Sequence, residues 1–132
     1  MGKLDHFQIN VSNLEQSVAF YDKILKKLDW SKKIVEDHIV GYTYQGTWLF
    51  LEQIKEDFKK NGFHRKHVGL NHLAFSVDSK KEVDNFYEFL KENEIKVLYT
   101  GPKEYPQYCE DYYAVYFEDP DRIKLEIVHI PQ

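Results

Sequence analysis

The sequence predicts an α+β fold of two β-α-β-β-β modules, forming a curled, cupped mixed β-sheet with helices on its outer face. Three observations predict it. The chain is written twice, each copy opens with an alternating strand followed by one amphipathic helix, and turn residues cut the remainder into short strands. Leu4-Asp5-His6-Phe7-Gln8-Ile9-Asn10-Val11 matches Leu70-Asn71-His72-Leu73-Ala74-Phe75-Ser76-Val77, and the same shift carries Phe20-Tyr21 onto Phe86-Tyr87. A slightly longer shift places Tyr42 on Tyr116 and Leu51-Glu52 on Leu125-Glu126. Two copies make a duplicated half-domain, not a solenoid.

Each element has a local reason. Ser12-Asn13-Leu14-Glu15 and Ser79-Lys80-Lys81-Glu82 both read as capping boxes, a hydroxyl followed three residues later by Glu. The first helix then carries Val18, Tyr21, Ile24, Leu25 and Leu28 at helical spacing, and the second carries Val83, Phe86, Tyr87 and Leu90. Short strands are expected near 30–35, 38–45 and 47–54, then near 95–99, 112–118 and 123–130. Residues 55–67, with Lys59-Lys60-Asn61-Gly62, read as a charged linker. Thr100 to Glu110, with Gly-Pro and Tyr-Pro, reads as a loop over one end of the sheet. One domain spanning 1–132 follows, its modules near 3–54 and 68–130.

Composition narrows the function. The chain has 132 residues, enough to bury roughly two thirds of its unfolded surface around a core. Eighteen basic against 22 acidic residues leave a net charge of −4, which argues against a nucleic-acid partner. No apolar run approaches the ~20 residues of a membrane span, and the first residues lack a signal-peptide core. A cytoplasmic protein is expected. The single cysteine, Cys109, excludes an internal disulfide and a cysteine-based zinc site.

Strand alternation sorts the side chains. Phe7, Ile9 and Val11, with Leu73, Phe75 and Val77 in the repeat, form the apolar face that meets the helices. His6, Gln8 and Asn10 take the other face, with His72 in the repeat. Glu52 falls there beside Trp48 and Phe50, and Glu126 beside Lys124 and Val128. A carboxylate among aromatics is costly without a cation or hydrogen bonds. Two imidazoles and two carboxylates form a mixed N/O set suited to a divalent transition metal, with Ni, Co, Zn, Mn or Fe as candidates. The same strand logic places Tyr42 and Tyr116 on that face as pocket hydroxyls.

The chain resembles the vicinal oxygen chelate superfamily, which includes glyoxalase I, fosfomycin-resistance enzymes, epimerases, extradiol dioxygenases and bleomycin-binding proteins. The resemblance rests on Leu4-Asp5-His6, Ser17 to Tyr21, Leu70-Asn71-His72, and Tyr116 to Asp121 running into Lys124-Leu125-Glu126. Arg122 stands where the family usually has Gly in its turn. By position, His6, Glu52, His72 and Glu126 correspond to the metal ligands of the glyoxalase I branch. Fosfomycin-resistance enzymes typically use two His and one Glu, without a carboxylate at the position of Glu52. The four-ligand pattern therefore implies a metal-dependent lyase or isomerase of the glyoxalase and epimerase type, acting on a small oxygenated substrate through an enediolate-type intermediate. Glu52 or Glu126 would then be the catalytic proton shuttle. The alternatives are a non-catalytic small-molecule or antibiotic binder, or a fosfomycin-type thiol transferase. Asn10 replaces an Arg that glyoxalase I commonly uses to hold glutathione. A homodimer is expected, because small relatives commonly pair modules to complete the site.

Overall fold

The computed structural model describes residues 1–131. The chain divides after Gly62 into two units. In the first, β1 (His6–Val11) leads into α1 (Leu14–Lys27), and β2 (Ser31–Val35), β3 (Ile39–Tyr44) and β4 (Thr47–Gln53) follow. The four strands form one sheet in the order β1-β4-β3-β2, with β1 parallel to β4 and the other pairs antiparallel. A helical crossover followed by two hairpins brings the last strand back beside the first. A short helix, α2 (Glu56–Lys59), stands in the charged segment read as linker.

The second unit repeats this plan with β5 (His72–Ser76), α3 (Lys80–Glu92), β6 (Val97–Glu104), β7 (Tyr113–Glu118) and β8 (Lys124–His129), in the order β5-β8-β7-β6. Among the described residues no helix is long and apolar enough to cross a membrane.

Each helix packs its apolar stripe on one face of its own sheet. Tyr21, Ile24 and Leu25 are buried with Val11, Leu49 and Leu51 in the first unit, and Val83, Phe86 and Leu90 with Phe117, Leu125 and Ile127 in the second. The helix ends are also repeated. Trp30 N–H reaches Leu25 C=O and Ile95 N–H reaches Leu90 C=O, each at 2.9 Å, closing two Schellman turns. Their left-handed residues are Asp29 (φ 64°) and Glu94 (φ 55°), where glycine is usual.

Two local readings change. The cap of α1 is Asn13, whose Oδ1 accepts from Gln16 N–H at 3.0 Å, and not Ser12 one residue earlier. Ser79 does cap α3. The stretch from Thr100 is also not a loop from its start, because β6 continues to Glu104 through an irregularity between Leu98 and Lys103. There Tyr99 (φ 56°), Thr100 (φ 68°) and Gly101 (φ 107°) turn left-handed in succession. Pro102 is tolerated because β6 is an edge strand, where a missing N–H breaks no ladder on the outer side.

Arg122 occupies the left-handed position that the sequence motif implied, at φ 65°. Asp119 Oδ1 builds the turn by accepting from the N–H groups of Asp121 and Ile123, both at 2.8 Å. Buried Glu118 anchors it from below, with Arg65 at 3.2 Å and Arg122 at 3.5 Å.

Candidate metal centre and tyrosine pocket

In the first unit, parallel pairing sets His6 beside Trp48, Gln8 beside Phe50 and Asn10 beside Glu52, all on the face away from α1. The Trp48 and Phe50 rings stack at 5.6 Å, and His6 meets Phe50 edge-on at 5.9 Å. Glu52 accepts a hydrogen bond from the Gln8 amide. His6 turns its Nδ1 to Asp5 Oδ1 at 2.7 Å.

In the second unit, His72 lies beside Lys124 and Ala74 beside Glu126. Glu126 is fully buried. One of its oxygens accepts from the Tyr112 hydroxyl. The other, Oε2, has no hydrogen-bond donor among the described residues although His72 Nε2 lies 2.9 Å away. The reason is the imidazole's other nitrogen. His72 Nδ1 sits 2.7 Å from Asn71 Oδ1, so a neutral ring carries its proton there and presents the Nε2 lone pair. An imidazole lone pair and a buried carboxylate oxygen then face each other, and a shared cation resolves that arrangement. These donors fit a divalent metal, and Asp5 orients His6 in the same way. Among the described residues, no group of three or more His, Cys, Asp or Glu side chains gathers in one cluster.

The register corrects the internal alignment. His6 pairs with Trp48 as His72 pairs with Lys124, so Phe50 occupies the place of Glu126 in its own sheet. Glu52 lies one alternation further along β4. The matching of Leu51-Glu52 to Leu125-Glu126 followed residue likeness, whereas hydrogen-bond pairing puts them two residues apart. Gly41 pairs with Phe50 as Tyr116 pairs with Glu126. The Phe50 ring covers Gly41 so closely that a Cβ there would stand 2.7 Å from its Cε1.

Tyr42 is likewise not a pocket residue. It pairs with Leu49 on the helix side, is buried, and donates to Asp22 Oδ1 of α1 at 2.8 Å. Burial, and then the Asp22 carboxylate, push its phenol far above the ordinary range. The tight Gln45-Gly46 turn, with φ of 47° and 83°, sets the β3–β4 register, and a one-residue offset exchanges the faces.

Tyr116 does stand on the Glu126 face. Together with His72, Tyr99, Tyr105, Tyr112 and Lys124 it lines a cavity of about 600 Å³. Burial first, and then the Glu126 charge, raise the Tyr116 phenol; burial raises Tyr112 to about 12, helped by its bond to Glu126. Both hydroxyls therefore remain neutral donors at physiological pH. Asp5 supports His6 in the first unit, Asn71 and Tyr112 support His72 and Glu126 in the second, and each had a signal. A short polar side chain precedes both repeated histidines, and Tyr112 is in step with Tyr116.

The model of the Glyoxalase/Bleomycin resistance protein/Dioxygenase superfamily matches residues 3–127. The chain belongs to this superfamily. Within it, the chain is 37% identical to the uncharacterized protein YqjT of Bacillus subtilis, over 95% of this chain and 97% of that protein. It is 30% identical to the metallothiol transferase FosB of Staphylococcus epidermidis, over 94% of this chain and 79% of the relative. The crystal structure of a glyoxalase candidate from Bacillus halodurans superposes with a TM-score of 0.90 at 39% identity, covering 98% of this chain and 96% of that one. The superfamily shares a fold and varies its chemistry, so the reaction has to be argued from the site.

Proposed function

We propose that this chain is a divalent-metal-dependent enzyme that joins a thiol to a small oxygenated electrophile, acting in the cytoplasm as a homodimer. The observation that carries the reading is the inequality of the two faces. Glu126 presents an orphaned buried oxygen to His72, whereas its counterpart in the first unit is Phe50. The second unit thus offers one imidazole and one buried carboxylate, His72 and Glu126, and the first unit offers the imidazole of His6 at the equivalent strand position. Likeness to a protein named as a metallothiol transferase supports the same choice. A divalent ion held by these residues supplies Lewis-acid polarisation of the substrate's oxygens.

The chain's own groups supply the rest. Asn71 and Asp5 hold the imidazoles in the ligating tautomer. Tyr112 and Tyr116 offer neutral hydroxyls to the oxygen that leaves carbon. In the reaction, sulfur forms a C–S bond, the C–O bond breaks with its electron pair on oxygen, and the thiol proton ends on that oxygen. For the dimer, β1 and β5 each end their sheets, with no further strand paired to them among the described residues, and a second copy would cover such an edge.

A lyase or isomerase reading is favoured by one observation, the partly buried Glu52 carboxylate held by Gln8 beside His6 and Phe50. There Glu52 moves the proton. The test supplies nickel, cobalt, zinc and manganese in turn, with cysteine or glutathione and an epoxide such as fosfomycin, and follows the adduct by mass. Adduct formation that is lost in Glu126→Gln supports transfer. Thioester formation from methylglyoxal and glutathione, with no adduct, supports the lyase. Equal metal binding by His72→Ala and the parent would overturn the site.

A further inference from the structure

Thiol transfer as proposed above makes no use of Glu52, and the first sheet holds this side chain in an unusual setting. It is half-buried, one of its oxygens accepts from the Gln8 amide, and among the described residues no Lys, Arg or His pairs with it. Other shielded carboxylates of the chain find cations: Asp22 holds Lys32, and buried Glu118 holds Arg65 and Arg122. A half-buried carboxylate with a single neutral donor carries a desolvation cost that a cation would offset.

The surroundings specify the kind of cation. Strand pairing sets Glu52 between Asn10 of β1 and Ile39 of β3, with Phe50 and Trp48 preceding it on the same face of β4. The Phe50 and Trp48 rings are half-buried and stack 7° from parallel. Gly41 admits this aromatic floor: the Phe50 ring lies over it, and a Cβ there would also stand 3.3 Å from Ile34 Cβ. Aromatic faces attract a cation that has shed part of its water. Gln8 and Asn10 each bring an amide oxygen to the same face. A primary ammonium has three N–H donors and no acceptor, which matches one carboxylate and two amide oxygens.

From this placement we infer that Glu52, Gln8 and Asn10 form an ammonium subsite beside the Trp48–Phe50 floor, so that the thiol this chain uses carries a primary amine close to its sulfur. The inference rests on the thiol-transfer reading proposed above. Gln8 follows His6 by two residues along β1, about 7 Å, so a short aminothiol bridges the subsite and the His6 end of the face. Glu52 is the specificity-determining residue, and Gln8 positions it through their hydrogen bond. A neutral or N-acylated thiol leaves the Glu52 carboxylate unpaired and is selected against for that reason.

The test uses the purified full-length chain and two matched pairs. S-methylcysteamine and 2-(methylthio)ethanol, which cannot react, are compared by calorimetric titration. Cysteamine and 2-mercaptoethanol are compared as thiols in the adduct assay. The parent should prefer the amine of each pair by about tenfold, as expected for a charge-assisted contact. Glu52→Gln should reduce that preference to within roughly threefold. Phe50→Leu should weaken amine binding by a smaller factor than Glu52→Gln does. Metal content and melting temperature are measured on every variant. Glu52→Gln protein that is folded, loads metal and keeps the amine preference overturns the subsite and leaves thiol transfer standing. A parent that binds the amine and the alcohol equally also overturns it. So does loss of metal from Glu52→Gln, which would assign this carboxylate to the ion. Glu52-dependent amine binding in a parent that forms no adduct with either thiol would instead overturn the transfer reading alone.

Discussion

Replacing Tyr42 by Phe separates the two tyrosines that residue likeness had matched. The substitution keeps the ring, so no cavity opens, and it removes one hydroxyl that donates to Asp22 at 2.8 Å. A hydrogen bond to a charged acceptor contributes about 1.5–3 kcal/mol. Asp22 stays 40% exposed and keeps Lys32 at 2.9 Å, so it is not left unsatisfied. The expected loss is therefore about 1–2 kcal/mol, at or just below the lower end of that range. For a chain of this length that is a fall in melting temperature of about 4–7 °C. The pH dependence has a definite sign. Above pH ~10 an unfolded tyrosine loses its proton. Native Tyr42 keeps its own, because burial and Asp22 raise its pKa. The unfolded state then binds fewer protons, so stability falls as pH rises. Tyr42→Phe removes this contribution and flattens the alkaline decline. The assay is thermal unfolding from pH 7 to 11, with metal binding measured at pH 7. An unchanged melting temperature, or metal binding weakened tenfold or more by Tyr42→Phe, would refute the helix-side placement.

Asn71→Ala should weaken metal binding about 10–100-fold while leaving the fold intact, because His72 loses the partner that selects its tautomer; competition against a chromophoric chelator measures it. Asp29→Gly and Glu94→Gly should each stabilise the chain by about 0.5–1 kcal/mol in urea unfolding, since both residues hold left-handed C-cap positions. Gly41→Ala should destabilise it, because the new Cβ would meet the Phe50 ring at 2.7 Å. Methylglyoxal with glutathione should give no turnover near roughly 10⁴ M⁻¹s⁻¹ with any of the four metals, since Asn10 offers only a neutral amide to a carboxylate.

The duplication, the helices and the face assignment of His6, His72 and Glu126 were legible in the sequence. Their signals are local: hydrophobic period, capping residues and a repeated polar-His pair. Alternation tells which residues of one strand share a face, and it did so for Trp48, Phe50 and Glu52 beside Gln8 and Asn10. It does not tell how far one strand slides along the next. That was decided by the Gln45-Gly46 turn and by the parallel pairing of β1 with β4 and β5 with β8. Tertiary structure therefore sent Tyr42 to the helix, set Phe50 where Glu126 stands in the repeat, and carried β6 past Gly101 and Pro102. It also decided which imidazole nitrogen is free, because Asn71 and Asp5 act through side-chain positions that no spacing rule specifies. The period of a strand is a property of its own backbone, whereas its register comes from turns and hydrogen bonds made with its neighbours.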